Sequence, residues 1–254
     1  MKDKIVCIIQ VRMGSTRLPG KVLKEIEGKP MIQYTLENLE HSKLIDKIVL
    51  ATSTLEQDDV IEEFAQEYGI SFFRGSEEDV LSRYYHAAKE YNAGIVVRVT
   101  GDCPLIDYQI TDEVIETFLN NPEADFVGNN LERTYPRGVD TTVFTFEALE
   151  KAYHNANKED EREHVVPYIH TTHRNEFELI NHEAEGKFRR PDIRITVDEE
   201  DDFKLITEII QRIDERPITL EKVVDLLNQD PELLEINEHV EQKKTNFSVD
   251  EENE

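Results

Sequence analysis

The sequence predicts an α/β protein in which a mixed, mainly parallel sheet is flanked by helices. Three observations lead there. Short β-rich runs alternate with amphipathic segments through the first half of the chain. The spacing of that alternation suits strand–helix–strand units, whose sheets are covered on both faces. The length, 254 residues, is enough for one large domain with a sizeable core.

The elements follow in order. Strands are expected at residues 5–9, 47–51, 71–73, 95–99 and 125–127, and helices between them at 31–39, 58–68, 79–91 and 110–119. After about residue 130 the rhythm loosens. A strand is expected at 141–146, helices at 146–155 and 161–173, and further strands at 177–181 and 193–197. Terminal helices are expected at 203–213 and 220–227, the second capped by Thr219. From Glu238 the chain turns polar and ends in Asp250, Glu251, Glu252 and Glu254, which reads as a frayed acidic tail over 238–254 behind a single domain at 1–237. Sheets of this kind bind ligands beyond the carboxyl ends of their strands, so the loops that follow strands are where function is sought.

Charge narrows the partners. The formal net charge is -26, which repels nucleic acid and anionic membranes and obliges any anion site to supply its own positive charge. The two cysteines, Cys7 and Cys103, form neither a disulfide framework nor zinc spacing. The first apolar run is too short for a signal or membrane span, and a reducing cytoplasm is the expected location.

The loop after the first strand carries the strongest local signal. Residues 10–21 read QVRMGSTRLPGK and hold Arg12, Arg17 and Lys21 without one acid. Gly14 and Gly20 let backbone amides approach a ligand, and Ser15 and Thr16 add hydroxyls. Together they suit a triphosphate. The spacing is neither a Walker P-loop, since Val22 follows Lys21, nor a dinucleotide fingerprint. The alternative is an ordinary polar loop with scattered cations.

Two aspartates stand just past expected strands, Asp102 in TGDCP and Asp198 in ITVDEEDD. Magnesium takes one or two carboxylates with phosphate oxygens and waters, a need that this pair would meet. Each could instead be a helix N-cap.

QVRMGSTRLPGKVL resembles the N-terminal signature of the acylneuraminate cytidylyltransferase family, nearest to its spore coat polysaccharide biosynthesis branch, SpsF. The likeness continues in order through FRGSEEDVLSRYYHAA, VRVTGDCPLID, YPRGVDTTVF, REHVVPYIH and ITVDEEDDF. It implies a Rossmann-like three-layer sandwich of the nucleotide-diphospho-sugar transferase type. It implies a cytidylyltransferase that joins CTP to an acidic sugar with Mg2+, giving a CMP-sugar and pyrophosphate for surface or spore-coat polysaccharide. By the same resemblance Arg12, Lys21 and Asp102 act at the phosphates, and Asp102 and Asp198 hold the metal. Met13, Gly14, Ser15 and Thr16 cradle the nucleotide, joined by Arg74, Ser76 and Thr100. Several relatives carry a base-contacting glutamine where this chain has Thr100. Arg137, Asp140, His164 and Tyr168 face the sugar, where Arg137 pairs with a carboxylate. On the residues alone Arg137 is a surface arginine in a turn, and Tyr168 shares a face with His164 only if the helix runs on through Pro167. The less regular part, about 130–190, lines the sugar site and offers an interface for a homodimer. The rivals are a glycosyltransferase using a nucleotide-sugar donor, a nucleotidyltransferase for another base, and a non-catalytic coat or scaffold protein. The first would show an acid-x-acid motif where Gly101-Asp102-Cys103 has one acid.

Overall fold

The first apolar run becomes β1 (Ile5–Gln10), the third of seven strands across the main sheet. The computed structural model describes residues 3–242. Behind β1 come the basic loop, a short 3-10 turn at Lys21–Leu23, and a small hairpin of β2 (Glu25–Ile26) and β3 (Lys29–Pro30) that the sequence pattern did not announce. The chain then alternates through α1 (Met31–Leu39), β4 (Lys47–Ser53), α2 (Asp59–Tyr68), β5 (Ser71–Gly75), α3 (Val80–Glu90), β6 (Ile95–Thr100) and α4 (Tyr108–Asn120). Its second part holds β7 (Phe126–Gly128), β8 (Thr142–Thr145), α5 (Phe146–Asn155), α6 (Glu159–His164), β9 (Leu179–Asn181), α7 (Glu200–Arg212) and α8 (Leu220–Gln229).

The strand order is β5-β4-β1-β6-β8-β7-β9. β5, β4, β1 and β6 pair in parallel; β8 runs against both β6 and β7, and β7 pairs in parallel with β9. The sheet is therefore mixed and mainly parallel. Alternate residues of β1 feed two cores, as the two-residue period of a strand requires. Ile5, Cys7 and Ile9 pack with residues of α1, α4, α7 and α8, while Val6 and Ile8 pack with α3 and α5. Burial on both faces explains why β1 reads as one continuous apolar run.

Local chemistry sets the element ends. Asp79 caps α3, its Oδ1 accepting from Ser82 N–H at 2.9 Å. Asp107 caps α4 through Gln109 N–H at 2.7 Å, and its other oxygen accepts from Leu220 N–H at 2.5 Å. That second bond replaces the cap expected from Thr219, which stands at the N-cap of α8 without a side-chain hydrogen bond.

Three other expectations change. The single helix at 161–173 is broken: α6 stops at His164, Val165 takes φ +73°, and a short π-helical turn follows at Tyr168–Thr172. Residues 193–197 form no strand; Arg194 makes one isolated bridge to Arg137. The stretch from Glu238 does not fray at once, because Val240 is 9% exposed and Gln242 accepts from Arg194 Nη1 at 2.5 Å. The rest of that expected tail, residues 243–254, lies outside the described residues.

Candidate active site

Two adjoining clefts open beyond the carboxyl ends of β1 and β6, the place an open α/β sheet presents to ligands. They share Thr100, Asp102, His164 and Asp198. The first is bounded by the basic loop and the start of α3, the second by residues 130–140 and 164–170.

The basic loop is held in shape by the backbone. Met13 C=O accepts from the N–H of Ser15 at 2.9 Å and of Gly20 at 3.0 Å, and Gly20 sits at φ +70°. Met13 N–H donates to Asp58 Oδ1 at 2.7 Å. Asp58 is fully buried and also accepts from Ser53 Oγ, so it pins the loop to the end of β4. Nothing in the sequence singled out Asp58, because an acid before a helix reads as an ordinary cap.

Lys21 is the hinge of the charge network. Its Nζ donates to Asp198 Oδ1 at 3.0 Å, Asp102 Oδ2 at 3.2 Å and Val197 C=O at 2.6 Å. Burial works against its charge, but Asp102 and Asp198 overcome that and raise its pKa. The other oxygen of Asp198 takes Arg17 Nη2 and Arg194 Nη2, both at 2.9 Å. Burial opposes the charge of Asp198 as well, yet Lys21, Arg194 and Arg17 together hold it at about 2. Asp198 is therefore no helix cap. Glu199 takes that position at α7, and Asp202 accepts from the backbone N–H of both Asp198 and Glu199.

Asp102 and Asp198 thus converge on one cation-sized position, within 3.2 Å of a shared ammonium. Among the described residues no cluster of three or more His, Cys, Asp or Glu is grouped to hold a metal. Two carboxylates completed by phosphate oxygens and water are the donor set that magnesium accepts.

The residues singled out by sequence divide into those brought together and those placed elsewhere. Ser15, Thr16 and Arg12 line the first cleft, Arg12 in an exposed pair with Glu77 at 3.0 Å. Met13 and Gly14 supply loop backbone without lining it; a side chain at Gly14 would meet Gln57 at 3.0 Å. Arg74 does not reach either cleft, since its guanidinium is held by Asp59, Glu62 and the carbonyls of Ser53 and Leu55. Ser76 is likewise outside, its Oγ accepting from Asp79 N–H. Arg137 and Asp140 line the second cleft, Asp140 gripped by Arg133 through two bonds of 2.8 and 3.1 Å. Tyr168 is 3% exposed and stacks on His173 with centroids 4.0 Å apart. The turn at Val165 rotates it off the His164 face and into the core.

Sequence reasoning passed over several groups in the clefts, among them Gln10, Arg83, Arg98, Arg133 and His170. For two of them a signal existed, a cation inside an apolar stretch: Arg98 within IVVRVT and Arg83 within an amphipathic helix. His170 is pushed down to about 4, by burial first and then by Arg98.

The cytidylyltransferase family model matches residues 6–246 of the chain. The spore coat polysaccharide biosynthesis protein SpsF of Bacillus subtilis (strain 168) is 32% identical over 237 residues, covering 91% of this chain and 96% of its own. The chain belongs to the cytidylyltransferase family. It is a nucleotidyltransferase. A solved cytidylyltransferase from Leptospira borgpetersenii serovar Hardjo-bovis superposes with a TM-score of 0.87 at 34% identity, covering 96% of this chain and all of the other. A CMP:2-keto-3-deoxy-manno-octonic acid synthetase complexed with CTP shares the fold at a TM-score of 0.65 and 18% identity, covering 82% of this chain and 99% of that one. For a cytidylyltransferase the paired clefts have a direct meaning, because two substrates must meet.

Proposed function

We propose that this cytidylyltransferase joins CTP to a hydroxyl of an acidic sugar, releasing pyrophosphate and giving a CMP-sugar for a surface glycan. The observation that carries the reading is the junction of the two clefts at Thr100, Asp102, His164 and Asp198. The first cleft has the cations for a triphosphate. The second sets Arg98, Arg133 and Arg137 against Asp102, Asp140 and Asp198, so its charges balance in a chain of net charge -26. Three guanidinium groups in a cleft of so acidic a chain favour an anionic acceptor.

In this reading the acceptor oxygen bonds to the α-phosphorus as the bond to the bridging β-phosphate oxygen breaks. Arg12, Arg17 and Lys21 neutralise charge that grows on the departing pyrophosphate. Lys21 leaves its aspartates to do so, which frees Asp102 Oδ2 and Asp198 Oδ1, while Asp198 Oδ2 stays with Arg194. Asp102 and Asp198 would then hold a magnesium ion, which when bound shields the phosphates and acidifies the attacking hydroxyl. His164, on both clefts, orients the acceptor against the phosphate. The cytoplasm and a homodimer built on residues 130–190 belong to the same reading.

The test is pyrophosphate release with each of the four nucleoside triphosphates, magnesium and a panel of acidic sugars. Release with CTP and an acidic sugar, lost on chelation, is expected. Tight binding of a nucleotide-sugar without binding of any triphosphate would sink the proposal in favour of glycosyl transfer.

A further inference from the structure

Arg194 lines neither cleft, yet every nitrogen of its guanidinium is engaged. Nε donates to Asp202 Oδ1 at 2.9 Å and Nη1 to Gln242 Oε1 at 2.5 Å. Nη2 donates to Asp198 Oδ2 at 2.9 Å and to Asp202 Oδ2 at 3.0 Å. Asp202 is fully buried and is itself fixed, by the backbone N–H of Asp198 at 2.9 Å and of Glu199 at 3.1 Å and by Asn237 Nδ2 at 2.8 Å. Asn237 Nδ2 also donates to Arg194 C=O at 3.1 Å, so the segment at 237–242 grips both ends of this arginine. A guanidinium that binds two carboxylates at once, one of them immobile, sets the orientation of the other.

Arg194 differs in kind from the other cations on Asp198. Lys21 and Arg17 belong to the basic loop and line the first cleft, where a triphosphate would draw them away. Arg194 faces no cleft and has no ligand to follow. Once the loop cations turn to the phosphates, it is the cationic partner that Asp198 keeps among the described residues. Its removal would also leave Asp198 beside the carboxylate of Asp202, which is bonded to Asp198's own N–H, and like charges so placed push apart. Magnesium demands near-octahedral geometry, so a carboxylate free to swing is a poor ligand for it.

We propose that Arg194 is a positioning residue, which clamps Asp198 Oδ2 against Asp202 and leaves Asp198 Oδ1 to face the metal. The inference rests on the reading above of CTP binding with magnesium at Asp102 and Asp198. Arg194 touches neither substrate; it acts through Asp198. The fork is the essential feature, because a single ammonium cannot hold both carboxylates in one plane. Partners of this kind, one bond behind a metal ligand, commonly set metal affinity about 10-fold to 100-fold.

The experiment measures CTP binding to the full chain and to Arg194→Met in EDTA and across a magnesium series, with no acceptor present, so that nothing turns over. The wild type is expected to bind CTP more tightly as magnesium rises. Arg194→Met is expected to need about tenfold more magnesium for the same gain, and to match the wild type in EDTA within about twofold, because Arg12, Arg17 and Lys21 are untouched. An equal loss in EDTA and in magnesium would make Arg194 a support of the fold or of the phosphate loop and overturn the proposal, as would an unchanged magnesium response. A wild type whose CTP affinity ignores magnesium would overturn the metal reading itself, and this inference with it. If Arg194→Met does not fold, by circular dichroism and melting, Arg194→Lys carries the test. It keeps the charge without the fork and should still need about threefold more magnesium. A wild-type response from the lysine variant would show that charge alone suffices and would refute positioning.

Discussion

The two clefts are built by different means. The first stands on adjacent parallel strands, and the charges around its basic loop are already paired: Lys21 with Asp102 and Asp198, and Asp198 again with Arg17 and Arg194. The second is assembled from an irregular stretch, a helix broken at Val165 and a single backbone bridge between Arg137 and Arg194. Pairing within the first cleft keeps strong charges in place until a ligand of higher charge exchanges with them. The second gains its geometry from close backbone approach. Damage to the first should therefore appear as lost chemistry, and damage to the second as lost fold or lost acceptor binding.

The sharpest test of that contrast is Asp102→Asn. It removes one of the two charges that Lys21 bridges, at a residue common to both clefts. Turnover is expected to fall by about 1,000-fold in steady-state pyrophosphate release. The melting temperature should change little, because Asp102 is partly exposed and Lys21 keeps Asp198 and Val197. Full activity in this variant would remove Asp102 from the reaction centre.

Gly138→Ala attacks the second cleft through its backbone. Gly138 sits at φ +118°, and a Cβ there would lie 2.5 Å from the carbonyl carbon of Ile195. Neither backbone can yield without losing the bonds from Ile195 N–H to Arg137 C=O at 2.7 Å and from Arg137 N–H to Ile193 C=O at 2.9 Å. The expected cost is about 3 kcal/mol in denaturant unfolding. If the variant is as stable as the wild type, the backbone approach is not what shapes this cleft.

The same contrast explains what the sequence made legible. From β1 to α4 the alternation of apolar runs and amphipathic segments located each main strand and helix, because both faces of a parallel sheet demand it. At 193–197 the alternation misled: Ile193, Ile195 and Val197 are buried in the main core, but the backbone makes one bridge to a neighbouring loop rather than a ladder. Periodicity reports burial, and burial does not require strand pairing. Asp102 and Asp198 were legible because each stands just past an apolar run, and Lys21 because it belongs to a basic loop without an acid; the fold brings all three together. Arg74 was misplaced for the opposite reason. It too follows a strand, but local acids on α2 take up its guanidinium. Whether a cation is free for a ligand depends on neighbours that only the tertiary fold supplies.

Acid offers a milder probe of the paired network. The folded value of Asp198, about 2, lies below its ordinary 3.8. The stabilisation from its partners is thus complete above about pH 4 and is lost as pH falls through 2. The shift corresponds to about 2 kcal/mol. The stability difference between wild type and Asp198→Asn, followed by urea unfolding, should be constant near neutrality and shrink below pH 4. A difference that stays flat into acid would mean that the charge of Asp198 contributes no stability.

The smallest expected effect falls on the second cleft, and it separates acceptor binding from nucleotide binding. Arg137 lines that cleft but not the first, and its backbone is fixed by Ile193 and Ile195 whatever the side chain. Arg137→Gln keeps that backbone and removes one positive charge. Loss of one charge-assisted contact should raise the KM of an acidic acceptor about tenfold and leave CTP affinity unchanged. The discriminating measurement pairs acceptor KM with CTP binding in the same preparation. A shift in CTP affinity of similar size would mean that the two clefts act as one site, and the division drawn between them would fail. An unchanged KM with an acidic sugar would leave Arg98 and Arg133 as the groups that meet its carboxylate.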